Sequence, residues 1–240
     1  MTIDELSTDP EFNIAFQPII HGSDGSIFGY EALARPKSGI SPLLYFNALQ
    51  GEALTVADCR CRHLALALAR LNRVSGSLCL NILPSSIMHP IYGIAATISL
   101  ARQIGFCLEH LIFEITEHEP IGDYQRVRAC LDASRNEGVR FALDDFGAGF
   151  NGLSTLMELR PEFVKFDSSL VGKIGQDVEQ TCFITSIIGG CRAFGSRLIA
   201  EGVETGEIFA DLRSREFDLM QGYYCGKPTL APSRADCTAA

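Results

Sequence analysis

The stretch Phe141-Ala142-Leu143-Asp144-Asp145-Phe146-Gly147-Ala148-Gly149-Phe150 decides how the rest of the chain is read. An apolar run stops at two adjacent carboxylates and then at a glycine-bracketed loop. This pattern describes a buried strand whose tip opens into a polar site. Neighbouring carboxylates repel each other unless positive charge lies close by, and a divalent metal ion keeps both ionised. A lone Asp at such a point is more often a helix N-cap or an Asx-turn. The pair followed by Gly-Ala-Gly favours a site.

Working outward, short apolar runs alternate with helical patterns on both sides. Asn13–His21 and Ser26–Arg35 form two strands around the turn Gly22-Ser23-Asp24-Gly25, which predicts a β-hairpin. Residues 42–74 are helical in pattern, and the Arg60–Leu71 segment is dense in Ala and Leu. Strands follow at 78–83, 111–117, 139–143, 163–167, 196–200 and 217–221, with helices between them at 91–104, 124–137, 153–159, 177–194 and 205–213. Gly189-Gly190 is a soft spot within the fourth of these helices. A hairpin followed by strand–helix alternation predicts a TIM-like (β/α)8 barrel, with a departure from strict parallel order near the start. The rival is an open doubly wound sheet, but it lacks the Gly-x-Gly-x-x-Gly fingerprint after the first strand.

Composition narrows the function. With 240 residues and 47% hydrophobic content, the chain can bury the core of one large domain, here expected over about residues 13–230 with loose tails. A formal charge of −9 argues against binding a nucleic acid polymer, although metals can invert the local sign for a phosphorylated ligand. The nine cysteines include no Cys-x-x-Cys pair and read as small, mostly buried side chains in a reducing compartment. Neither a signal segment nor a membrane span is legible, so a cytoplasmic location is expected. The five histidines, His21, His63, His89, His110 and His118, form no His-x-x-x-His motif and are expected in surface or capping roles. No nucleophile-elbow serine is present.

The polar residues near strand ends are Glu31, Asn81, Glu114, Asp144, Asp145, Lys165, Asp167, Glu201 and Gln221, with Gln17 in the opening hairpin. In a barrel such residues converge at the mouth formed by the strands' C-terminal ends. Oxygen donors without His or Cys suit Mg²⁺ or Mn²⁺. Two such ions would clamp a phosphodiester and activate water. Lys165 could orient that water, or deprotonate it if its pKa were lowered. The plainer alternative for Lys165 and Asp167 is a salt bridge at the end of one strand.

These residues also carry a resemblance. Glu31-Ala32-Leu33-Ala34-Arg35 matches the Glu-x-Leu-x-Arg signature of the EAL-domain cyclic di-GMP phosphodiesterases. Supporting matches in the same order are Phe16-Gln17-Pro18-Ile19, Asn81 with Pro84, Glu114-Ile115-Thr116-Glu117, Asp144-Asp145-Phe146-Gly147-Ala148-Gly149, Lys165-Phe166-Asp167, Ala200-Glu201-Gly202-Val203-Glu204-Thr205 and Gln221-Gly222-Tyr223. The resemblance implies a barrel with one antiparallel strand near the start and two Mg²⁺ or Mn²⁺ ions. It implies hydrolysis of cyclic di-GMP to linear pGpG; the alternative is a non-catalytic cyclic di-GMP receptor or protein-interaction module.

By the same resemblance, Glu31, Asn81, Glu114 and Asp144 would hold one ion. Asp144 would bridge to a second, held with Asp145 and Glu201. Lys165, Glu201 and Gln221 would be catalytic, and Gln17, Glu31, Leu33, Arg35, Asp167 and Gln221 would contact substrate. Glu117 and Glu204 would anchor loops. Where the family often has Tyr-Ser-Ser, this chain has Phe150-Asn151-Gly152. Control is expected from a homodimer, a separate sensory or regulatory protein, or a domain outside this chain.

Overall fold

The computed structural model describes residues 3–117, 119–147, 152–175 and 177–232. The expectations for His118, for Phe150-Asn151 in the glycine loop and for the tail from residue 233 onward lie outside the described residues.

Eight strands close into one barrel in sequence order. They are β1 (Phe12–His21), β2 (Ile27–Pro36), β3 (Ser77–Ile82), β4 (Leu111–Ile115), β5 (Arg140–Phe146), β6 (Phe163–Phe166), β7 (Arg197–Ala200) and β8 (Leu219–Gln221). Strand β1 pairs antiparallel with both β2 and β8, and every other neighbouring pair is parallel. The hairpin therefore reverses one strand, as the sequence predicted, and its register sets Gln17 opposite Glu31. The remaining strand predictions agree with the structure to within a few residues. The largest difference is β5, expected to end at residue 143, which runs on through both aspartates to Phe146; β8 begins two residues late, at Leu219.

Helices α1 (Ile3–Leu6), α2 (Pro42–Asn47), α3 (Glu52–Leu71), α4 (Ile94–Gln103), α5 (Tyr124–Arg135), α6 (Leu153–Leu159), α7 (Ser168–Val171), α8 (Val178–Ala193) and α9 (Gly206–Ser214) occupy the connections. Their starts are chemically marked. Ser41, Asp123, Asp177 and Thr205 each accept a backbone N–H of the first turn, which satisfies a donor that the helix cannot. The helical stretch expected over residues 42–74 divides into two helices, with Gly51 at φ 56° between them. Helix α8 runs unbroken through Gly189-Gly190, since each costs only about 1 kcal/mol relative to Ala. No helix among the described residues is long and apolar enough to cross a membrane.

Helices pack on the barrel's outer face, where Leu64, Leu66, Leu78, Leu80, Phe113 and Phe141 are buried on one side and Val164, Phe166, Leu198 and Met220 on the other. The inner face carries its own layer: Ile19, Cys79, Ile112, Ala142, Phe163, Ile199 and Leu219. Side chains alternate along a strand, so the next inward position is two residues away. Two residues further toward one mouth stand Gln17, Asn81, Glu114, Asp144, Lys165, Glu201 and Gln221. The apolar layer is thus the floor on which the polar residues rest.

Among the described residues every cysteine is a free thiol. Cys59, Cys79 and Cys191 are buried as expected, whereas Cys107 and Cys182 are exposed. His89 takes the predicted capping role, its Nδ1 accepting the N–H groups of Ile91 and Tyr92. His63 departs from expectation. It lies half-buried on α3 with Cys59 Sγ at 3.5 Å, and burial pushes its pKa down to about 4.

Candidate active site

Lys165 occupies the centre of the polar layer and is 1% exposed. Its ammonium lies 2.8 Å from Asp144 Oδ1, 2.9 Å from Glu201 Oε1, 3.2 Å from Glu31 Oε2 and 3.3 Å from Glu114 Oε2. Asn81 Nδ2 donates to Glu31 Oε1 at 2.9 Å, and Gln221 Nε2 donates to Glu31 Oε2 at 2.6 Å. Gln221 also reaches Gln17 Oε1 at 3.3 Å, and Gln17 in turn donates to the Gly226 carbonyl. One connected network thus joins residues from all eight strands or the residues just after them.

The register explains the convergence. Asn81 and Glu114 are direct partners across β3 and β4, and Gln17 and Glu31 are partners across the hairpin. A register shift between β5 and β6 falls at Leu143–Phe146, so the strand bulges where the two aspartates stand. Asp145 adopts φ 48° there, a left-handed conformation that Asp tolerates better than most residues. The bulge lets Asp145 approach the same space as its neighbour. Oxygen atoms of Asp144, Asp145 and Glu201 lie within 4.8 Å of one another.

One ammonium facing four carboxylates leaves negative charge in excess. Burial pushes the Asp144 carboxyl up to about 6 against the pull of Lys165, with Glu31 and Asp145 adding to the rise. Burial likewise lifts Glu201 to about 8 and Glu114 well above the usual carboxylate range. Glu31 goes the other way. Burial opposes its anion, but Lys165, Gln221 and Asn81 outweigh that and hold its pKa low. Burial also disfavours the Lys165 ammonium, yet the four carboxylates raise its pKa well above the usual lysine range. The network without metal therefore favours the ammonium form of Lys165, which donates hydrogen bonds to Glu31 and Glu114. The salt bridge between Lys165 and Asp167 does not form: the Lys165 ion pairs are with Glu31, Glu114, Asp144 and Glu201.

The donor set fits divalent metals. All ligand atoms on offer are hard oxygens, three carboxylates converge within bonding range of a common point, and Glu114 Oε1 is buried without a hydrogen-bond partner. Cations would offset the burial and the neighbouring negative charge that together favour protonation of Asp144, Glu114 and Glu201.

Other predicted residues line the space beside the cluster. A cavity of about 430 Å³ runs from Glu31, Asn81, Asp144 and Asp145 past Leu33 and Arg35. Arg35 turns its Nη1 onto the Ala34 carbonyl at 2.9 Å. A smaller opening above Lys165 and Glu201 is edged by Glu204 and Tyr223. Glu117 follows β4 at the turn and is half-buried. Asp167 is not brought into the cluster. Its Oδ1 accepts the Ser169 N–H at 2.8 Å and its Oδ2 lies 3.3 Å from Ser168 Oγ, so it caps α7.

Sequence patterns missed the cavity's apolar wall, made by Pro42, Leu43 and Phe46 of α2 with Cys61 and Ala65 of α3. Its floor includes the buried ion pair of Arg62 with Asp58. These residues belong to helices with ordinary amphipathic patterns, and nothing local distinguishes cavity-facing positions from core-facing ones.

Comparison with known proteins agrees with this geometry. The chain is 30% identical to the probable cyclic di-GMP phosphodiesterase PdeG of Escherichia coli K12 over 229 residues, covering 89% of this chain and 44% of PdeG. It spans only part of the length of the curated relatives it matches. Among solved structures, a standalone versatile EAL protein from Vibrio cholerae O395 in its c-di-GMP-bound form aligns with TM-score 0.84 at 33% identity, covering 93% of this chain and 94% of that one. The manganese/cy-diGMP complex of Klebsiella pneumoniae BlrP1 aligns with TM-score 0.80 at 31% identity, covering 91% of this chain and 56% of BlrP1. The EAL domain family model matches residues 2–228, and the chain belongs to the EAL domain family.

Proposed function

We propose that this chain is a cytoplasmic phosphodiesterase that hydrolyses one phosphodiester bond of cyclic di-GMP and releases linear pGpG, using two Mg²⁺ or Mn²⁺ ions. The observation that carries this is the complete inward layer of oxygen donors around Lys165, with no expected ligand position lost to an apolar residue. Glu31, Asn81, Glu114 and Asp144 would hold one ion, and Asp144, Asp145 and Glu201 the other. Bound there, the ions supply Lewis acidity toward the phosphodiester oxygens and a water of lowered pKa.

The chain's own residues do the rest. Gln221 and Asn81 fix both oxygens of Glu31, so that its lone pairs face inward. Lys165 donates toward the point where the carboxylates meet, which positions a water or a phosphoryl oxygen there. Gln17, Leu33 and Arg35 flank the cavity beside the cluster and would bind the nucleotide, Arg35 by pairing with phosphate. Glu117 would anchor the loop that follows Asp145, and Glu204 would have a loop-anchoring role as well. Control through a homodimer or a separate sensory partner belongs to the same proposal.

The test is turnover. Purified protein with Mg²⁺ or Mn²⁺ should convert cyclic di-GMP to pGpG, resolved by ion-pair chromatography, with chelator abolishing product and Ca²⁺ failing to replace the active ion. Tight nucleotide binding with no product under either metal would overturn the proposal in favour of a receptor.

A further inference from the structure

The register that raises an acidic layer at one mouth of the barrel sets a basic layer at the other. Two residues below the apolar layer, on the same inward faces, stand His21 of β1, Ser77 of β3, Arg140 of β5 and Arg197 of β7, with His110 at the foot of β4. They line an open cavity of about 570 Å³, whose rim includes Gly76, Gly138 and the exposed Glu109. Along β5, Arg140 is four residues from Asp144, so the two polar layers lie about 13 Å apart. The apolar layer separates them.

The two arginines share one aromatic platform. The Arg140 guanidinium carbon sits 5.9 Å from the Phe28 ring centroid and 5.3 Å from that of Phe163, and the Arg197 carbon sits 5.1 Å and 5.6 Å from the same rings. Cation–π stacking accounts for their placement over the rings. It does not account for two like charges held side by side with little to balance them. Arg140 Nη2 donates to Ser77 Oγ at 3.0 Å and to the Glu109 carbonyl at 2.7 Å, both neutral acceptors. Its Nε is buried without a partner. The carboxylate paired with Arg197 is Asp218 at 4.0 Å, and its other oxygen already accepts the Leu198 N–H. Burial, with Arg197 adding to it, pushes the Arg140 pKa down, while the Glu162 and Glu109 carboxylates act in the opposite direction.

We infer that this basal cavity is a binding site for a small molecule carrying a phosphate group, the phosphate lying between Arg140 and Arg197. Two guanidinium forks arriving from different strands suit a tetrahedral dianion better than a planar carboxylate, which one fork satisfies alone. His21 packs edge-on against Phe28 at 5.6 Å, leaving an aromatic wall beside the phosphate position for an organic portion of the ligand. Occupancy there does not compete for the acidic mouth, because the apolar layer lies between.

The test uses the whole chain in chelator, which keeps the acidic end metal-free, with inorganic phosphate and ribose 5-phosphate as probes. Titration followed by amide shifts should give saturable changes at Gly76 and Gly138 and none at Gly202, with Kd below about 1 mM. Tighter binding of ribose 5-phosphate identifies an organic phosphate, and equal binding identifies phosphate itself. Arg197→Gln, at a half-exposed position outside the acidic site, should weaken binding about tenfold or more, since a charged hydrogen bond is lost. His110→Ala, at an exposed position, is the second variant and should weaken it less. Absence of saturable change, shifts confined to the Gly202 end, or wild-type affinity in Arg197→Gln would overturn the inference.

Discussion

Replacing Lys165 with Met separates charge balance from packing at the acidic mouth. The side chain is 1% exposed and within 3.3 Å of four carboxylates. Removing one partner of a buried ion pair costs about 3–5 kcal/mol, because the remaining charge stays in a poor solvent for it. At about 2–4 °C per kcal/mol for a chain of this length, metal-free Lys165→Met should melt roughly 6–20 °C below wild type. Proton uptake limits the loss. Asp144 and Glu201 already titrate near 6 and 8 with Lys165 present, and both rise further without it.

A carboxyl whose folded pKa exceeds its unfolded value contributes stability below the unfolded pKa and loses it as pH rises through the folded one. The deficit of the variant should therefore be small at pH 6 and large at pH 8. A divalent ion supplies the missing charge and adds about 2.7 kcal/mol at one hundred times its Kd, so Mn²⁺ should narrow the gap. The assay is thermal melting by circular dichroism in chelator and in Mn²⁺ at both pH values. Equal stability of variant and wild type in chelator at pH 8, or a larger deficit at pH 6, would refute the reasoning.

Glu31→Ala and Asp144→Ala should each lower turnover of cyclic di-GMP at least about a hundredfold at saturating metal, since losing a ligand removes several kcal/mol of transition-state stabilisation; near-normal rates would contradict the ligand assignment. Gly202 follows Glu201 with φ 69°, and a Cβ there would lie 2.5 Å from Ser168 Cβ. Gly202→Ala should cost about 1–3 kcal/mol in denaturant unfolding and lower turnover by displacing Glu201; unchanged stability would show that the loop relaxes freely. His63 has a folded pKa near 4 against an ordinary 6.5, so its contribution is present above pH 6.5 and is lost as pH falls toward 4. Urea midpoints should fall over that window, and His63→Gln should flatten the fall; parallel curves would exclude this histidine as a cause.

Much of the site was legible because its residues interrupt apolar strands. Glu31, Glu114 and the Asp144-Asp145 pair stand out where period-two burial predicts hydrophobic neighbours, and a buried carboxylate without a partner is too costly to be incidental. Lys165 and Asp167 looked alike by that criterion, two charged residues at the end of one strand. Two apart, they would share one face of a continuing strand, and they differ because β6 ends between them. Lys165 points into the barrel, whereas Asp167 lies just past β6 and is drawn off by the unpaired amides of α7. Helix α7 is four residues long and carries no apolar period, so nothing announced that Asp167 would be a cap.

The sequence by itself determined the strand–helix alternation, the reversed hairpin strand and the oxygen-donor character of the acidic mouth, because these follow from local periodicity and side-chain chemistry. Only the tertiary structure decided which polar residues meet. Lys165 and Glu31 are 134 residues apart, and inter-strand register alone brings them to 3.2 Å. The same register carries Arg140 and Arg197 to one pair of aromatic rings at the opposite mouth. Closure of the barrel turns a two-residue step along each strand into a layer shared by all of them, and no single strand contains that layer.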